Sequence, residues 1–205
     1  PSDSYTGLFE ASNSVVSAQE LVSGSTASNG TIALKNAFIA LSDTTDPEDP
    51  NDEYTLDANE GALTLTEGSS LVVHVNGLNR ADAANTKDSS DLYSAIDAVQ
   101  VRLGGNLVIN VNEELAEEDS SIDLIRAVKD DSLTLGTDAF TGIQGEFDTV
   151  SVTGLPKHAT ATTEVVEETI DGTTYDVYRV TFAGSFSLPL LAGLLLLAGF
   201  RRSRK

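Results

Sequence analysis

The densest set of potential ligands in this chain is the run Asp43-Thr-Thr-Asp-Pro-Glu-Asp-Pro-Asn-Asp-Glu-Tyr-Thr-Leu-Asp-Ala-Asn-Glu60, eight carboxylates in 18 residues. Calcium takes roughly six to eight oxygen ligands, and a loop of this composition supplies them when it folds back on itself. The ligands would be Asp46, Asp49, Asp52 and Asp57. With Asp49 as the first position of an EF-hand loop, Tyr54 stands where glycine is required, so that spacing is not met. Pro47 and Pro50 equally suit an extended, solvated acidic loop, and both readings stand. A second acidic run, Glu113-Glu-Leu-Ala-Glu-Glu-Asp119, reads as a solvated helix or turn face.

Other chemistry finds little to build on. The two histidines are His74 and His158. His74 alternates with Val73 and Val75, which places it on the more polar face of a strand, and no spacing pairs the two as zinc ligands. There is no Gly-x-Ser-x-Gly elbow, no phosphate-binding loop and no dinucleotide fingerprint. With no cysteine there is no disulfide, thiolate ligand or thiol nucleophile. These observations lead us to expect no catalytic residues and no cofactor other than calcium, and hence a protein that is not an enzyme. Asn29-Gly30-Thr31 matches a glycosylation sequon, and Asn-Gly is also a turn signal between strands.

The elements around these residues read as strands. Ala62–Thr66, the turn Glu67-Gly-Ser-Ser70 and Leu71–Val75 predict a hairpin. Ala98–Leu103, Gly104-Gly105 and Asn106–Val111 predict a second. Val165–Ile170, Asp171-Gly172 and Thr173–Val180 predict a third, with Tyr175, Val177 and Arg179 on one face and Asp176, Tyr178 and Val180 on the other. Thr31–Leu41 and Phe147–Val152 add strands. Helices are expected near Asp91–Asp97 and near Ser121–Lys129, the second behind a Ser120-Ser-Ile-Asp123 capping box. No internal repeat stands out. The expected fold is mainly β, an antiparallel β-sandwich with Val73, Val99, Val101, Leu107, Ile109, Val150, Val152, Val177 and Phe182 in its core.

Charge is distributed unevenly. The chain has 32 acidic and 12 basic residues and a net charge of −20. Four of the basic residues, Arg201, Arg202, Arg204 and Lys205, close the sequence, and no acidic residue follows Asp176. Such a surface repels phosphate backbones, so nucleic acid is not expected as a partner. Solubility accounts for the charge, as does capture of cations or basic partners. The absence of methionine, including at Pro1, fits removal of a signal peptide.

The C-terminal segment carries most of the information on location. From Val180 to Phe200 there are 21 residues without a charge, and 16 from Ser185. A bilayer-spanning helix needs roughly 20 predominantly apolar residues. Ser187 can cap such a helix, Pro189 suits its first turn, and Leu188, Leu190, Leu191, Leu194, Leu195, Leu196, Leu197 and Phe200 make it apolar all round. Ala192 and Gly199 lie on one face and suit helix packing. The basic cluster should stay cytoplasmic and leave the acidic domain outside. Small residues, a proline, a Leu/Ala/Gly-rich run and a terminal arginine cluster resemble the tripartite C-terminal sorting signals of the PEP-CTERM and GlyGly-CTERM type, over residues 183–205. That resemblance implies export, membrane retention and a sorting protease acting near residues 184–187.

The expected organisation is therefore an acidic ectodomain over residues 1–182, a short linker over 183–187, and a transmembrane helix with basic stop over 188–205. The corresponding function is that of a non-catalytic, membrane-anchored structural or interaction protein of the cell envelope. Its tail would meet lipid or other membrane proteins, and its ectodomain envelope or self-assembly partners. Two alternatives are a single-helix accessory subunit of a large membrane complex and a filament subunit whose tail helix forms the core.

Overall fold

The computed structural model describes residues 7–24, 29–42, 55–86, 91–112, 120–130, 133–157 and 159–183. Within them every regular element is a strand, and each of four successive circuits lays at least one strand into each of three large sheets, beside a small two-stranded sheet. The first circuit is β1 (Leu8–Ser12), β2 (Val15–Ala18) and β3 (Glu20–Ser23). The second is β4 (Thr31–Lys35), β5 (Phe38–Leu41), the short β6 (Thr55–Leu56) and β7 (Ala62–Leu65). The third is β8 (Ser70–Val75), β9 (Asn79–Arg80), β10 (Leu92–Tyr93), β11 (Ala95–Ala98) and β12 (Gln100–Leu103). The fourth is β13 (Asn106–Val111), β14 (Ser120–Val128), β15 (Thr134–Leu135) and β16 (Gly142–Gly145). A last strand of the stack, β17 (Thr149–Thr153), precedes β18 (Thr160–Ile170) and β19 (Thr173–Ala183).

Sheet one stacks β1, β4, β8, β13 and β17, all parallel and in unbroken register, so that Phe9, Ile32, Leu71, Leu107 and Val150 stand one above another. Sheet two stacks β2, β5, β11 and β14 in parallel. Sheet three does the same with β3, β7, β12 and β16. The result is a parallel β-solenoid, whose core is a set of aliphatic ladders running along its axis. Leu34, Val73 and Ile109 form one ladder, Ile39, Ile96 and Ile125 another, and Leu63 with Val101 a third; all are buried. Each such side chain contributes about 1.5–3 kcal/mol by leaving water. At the far end β19 joins β14 antiparallel and β18 joins β19, so a hairpin terminates sheet two.

The chain is mainly β, as its sequence suggests, but the sheets are parallel or mixed and do not form an antiparallel sandwich. The reason lies in the turns. A two-residue hairpin of type I′ needs positive φ at both central residues. Asp171 (φ 51°) and Gly172 (φ 88°) meet that condition, and β18 and β19 do form the expected hairpin. At Gly104-Gly105 only Gly105 is in the left-handed region (φ 60°). The chain there bends through a corner from sheet three into sheet one, and β12 and β13 never pair. The Glu67–Ser70 turn, with Gly68 alone at φ 76°, carries β7 to β8 in the same way.

The two expected helices are strands as well. Asp91–Asp97 holds β10 and most of β11, and Ser121–Lys129 overlaps β14, so Ser120–Asp123 is no capping box. A bulge between Asp123 and Ile125 lets Leu124 and Ile125 both turn inward. That irregularity imitates a helical period, and pairing on both sides, with β11 and β19, decides the outcome. Of the expected core, Val73, Val101, Leu107, Ile109, Val177 and Phe182 are buried. Val99 sits half-buried at the corner between β11 and β12, and Val152 is half-buried. Val150 is 40% exposed, and among the described strands none pairs with β17 beyond β13 to cover this last rung of sheet one.

Candidate interaction surface

The residues singled out in the sequence do not converge. Asp46, Asp49 and Asp52 lie outside the described residues, as do Glu113–Asp119, His158, the apolar run from Leu188 to Phe200 and the basic cluster Arg201–Lys205. Asp57 is exposed and opens a turn in which its backbone N–H donates to Glu60 Oε2 at 2.9 Å. Among the described residues no group of three or more His, Asp or Glu side chains is placed to hold a metal ion, and no helix is long and apolar enough to cross a membrane. His74 lies on the outer face of sheet one, in register with Lys35 and Asn110. Asn29 is exposed, and the Gly30 N–H beside it donates to Ser69 Oγ at 3.2 Å.

What the fold does assemble is a set of outer faces with distinct chemistry. Asn106 accepts from Thr149 Oγ1 at 2.6 Å and Asn110 from Thr153 Oγ1 at 2.7 Å, which ties the last two rungs of sheet one on the outside. The outer face of sheet two and its hairpin is laced by ion pairs. Arg80 meets Asp97 at 2.7 Å; Asp123 holds Arg126 at 3.2 Å and Arg179 at 2.8 Å; Arg179 also reaches Glu168 at 2.8 Å. Lys129 bridges Glu167 at 2.7 Å and Asp176 at 3.4 Å, and these two carboxylates push its pKa up. Partly exposed pairs of this kind contribute little singly, but they consume cations, so the remaining surface keeps its acidic excess.

A groove of about 510 Å³ opens between the last coil and the hairpin. Leu103, Ile143, Phe147 and Val150 line one side and Thr163, Val165 and Tyr178 the other, with Glu146 and Glu164 among the lining residues. Phe147 packs edge-on against Tyr178, with ring centroids 5.2 Å apart. Burial pushes the Tyr178 phenol pKa up, against the smaller opposing effect of its hydrogen bond with Thr163. The hairpin is held over the coil where Ile143 N–H donates to Asp176 Oδ2 at 3.1 Å. Gly142 makes room for that contact: at φ 85° it carries no Cβ, and a Cβ there would collide with the Asp176 carboxylate.

Several structural residues escaped the sequence reading. At the corner between sheets one and two, Asn36 Nδ2 donates to Asn13 Oδ1 (3.1 Å) and Asn76 Nδ2 donates to Asn36 Oδ1 (2.8 Å). Asn13 and Asn36 both occupy the left-handed region, at φ 48° and 47°, which asparagine tolerates better than other non-glycine residues. The signal was present: Asn13, Asn36, Asn76 and Asn112 each directly follow a strand of sheet one. Buried Gln100 is a second case. Its Nε2 donates to the carbonyls of Asp57 (2.6 Å) and Glu60 (2.8 Å), and its Oε1 accepts from Phe140 N–H (3.1 Å), joining three coils. Compared with protein-family models, with curated proteins and with solved structures, the chain finds no match.

Proposed function

We propose that this chain is a non-catalytic structural or interaction protein of the cell envelope, an acidic β-solenoid held at the outer face of a membrane by its C-terminal apolar run. The observation that carries the reading is the position of the hairpin. β19 is the penultimate strand of sheet two and ends at Ala183, five residues before the apolar run opens at Leu188. The described chain therefore ends on the hairpin that terminates sheet two, which suits a stiff column attached by one end. A tail that is apolar from Leu188 to Phe200 and closes on Arg201, Arg202, Arg204 and Lys205 matches a span with a cytoplasmic stop. Regular outer faces built from stacked polar residues suit contact with envelope components or further copies.

Alkaline carbonate washing of membranes tests the anchor. The full chain should stay in the pellet, and a Leu194→Asp, Leu196→Asp variant should move to the supernatant, since each aspartate at the centre of a span costs about 3 kcal/mol. Finding both proteins in the supernatant would end the membrane reading. Calcium enters the same proposal as a ligand of Asp46, Asp49, Asp52 and Asp57, resting on carboxylate number alone.

A further inference from the structure

We propose that the groove beneath the last coil receives an extended peptide segment of a partner in which apolar residues alternate with Lys or Arg. This rests on the reading of the solenoid as an interaction module and names the chemistry of what it binds. Three independent features lead there.

The first is an interrupted ladder. The sheet-one position occupied by Ile32, Leu71 and Leu107 in successive coils is fully buried in each, yet the next rung, Val150, is 40% exposed. On the opposite wall Val165 is 46% exposed. Together with Leu103, Ile143, Phe147 and Tyr178 they make a contiguous apolar surface, of the kind that marks a contact site. The volume, about 510 Å³, lies in the range of small binding clefts.

The second is an open sheet edge. β18 pairs with β19 on one side and with no other described strand, although it is 11 residues long. Its residues Thr163, Glu164 and Val165 also line the groove. A segment lying in the groove thus passes an unpaired backbone that an extended chain can complete, with alternate side chains turned toward the apolar lining.

The third is charge. The charged residues lining the groove are Glu146 and Glu164, and neither forms an ion pair among the described residues. On the strand that carries Glu164, by contrast, Glu167 and Glu168 are held by Lys129 and Arg179. A basic segment would supply the missing partners. A second copy of this chain is a poor occupant, because at a net charge of −20 it brings more negative charge to an already acidic rim.

The chain contains no tryptophan, so a peptide such as Val-Lys-Val-Lys-Trp-Arg-Val-Lys reports its own binding by fluorescence. The full chain in detergent should bind it saturably, with a Kd on the order of 10 μM, and detergent alone should not. The E146K/E164K double variant, altered at two exposed positions and checked for an unchanged melt, should bind at least tenfold more weakly. A peptide with proline at alternate positions, which cannot complete the β18 edge, should fail to bind. Absence of saturable binding, equal binding by the double variant, or equal binding of the proline peptide would each overturn the proposal. So would self-association of the chain that E146K/E164K abolishes, since it assigns the groove to a second copy. Binding is measured on purified protein, so its failure leaves the carbonate result untouched, and the reverse also holds.

Discussion

Replacing Asn36 probes how the coils are held in step. Its side chain accepts from Asn76 and donates to Asn13, so one residue joins three successive coils. Each of these hydrogen bonds contributes about 1 kcal/mol net. Asn36 is buried, 5% exposed, at φ 47°. Alanine at that φ adds about 1 kcal/mol, because its Cβ crowds the backbone without a side-chain bond in compensation. Asn36→Ala should therefore cost about 3 kcal/mol, a large share of the roughly 5–15 kcal/mol that stabilises a folded domain. Asn36→Gly loses the same bonds but relieves the backbone, and should cost about 2 kcal/mol. Urea unfolding of the full chain in detergent, followed by far-ultraviolet circular dichroism, reads both. A cost below about 0.5 kcal/mol for alanine would show that the ladder carries no stability. Glycine costing as much as alanine would refute the backbone half of the reasoning. Adding Asn76→Ala to Asn36→Ala should cost less than the sum of the single changes, since both remove one shared bond.

Gln100→Leu leaves the buried Phe140 N–H and the carbonyls of Asp57 and Glu60 without their partner, and should lower stability by about 3 kcal/mol, read as a fall in the thermal midpoint. Stability should be level near neutral pH and fall above about pH 10. Burial raises the Tyr93 and Tyr178 pKa values and carboxylates raise that of Lys129, so each group holds its proton more tightly folded than unfolded. Their contribution is complete below the unfolded pKa and is lost as pH climbs through the folded one; Tyr178→Phe should flatten part of the decline, and stability rising above pH 10 would contradict this. If calcium binds Asp46, Asp49, Asp52 and Asp57 as proposed, it should raise the midpoint more than magnesium at matched ionic strength, whereas an equal rise would leave only screening of an acidic surface.

Strands were legible because alternation is a local property. Leu71, Val73 and Val75 point inward and Val72 and His74 outward whatever β8 pairs with. Pairing was not legible, because the stacked neighbours of a rung lie a full circuit away in sequence, as Leu71 is from Ile32 and Leu107. Circuits of unequal length, swollen by insertions such as residues 43–54 and 81–91, hid the repeat that the asparagines after the sheet-one strands would have marked. Only the Asp171-Gly172 hairpin is both local and antiparallel, and it alone of the three expected hairpins formed. The groove was out of reach for the same reason: Leu103, Val150 and Tyr178 meet only through the stacking of coils and the return of the hairpin.

Protease added to intact spheroplasts of cells expressing the chain tests the proposed function most directly. Residues 1–183 should be digested while a short fragment carrying Leu188–Lys205 stays protected, and replacing Arg201, Arg202, Arg204 and Lys205 with serine should weaken retention or scramble orientation. Full protection of the acidic domain, with digestion only after lysis, would contradict the proposed function.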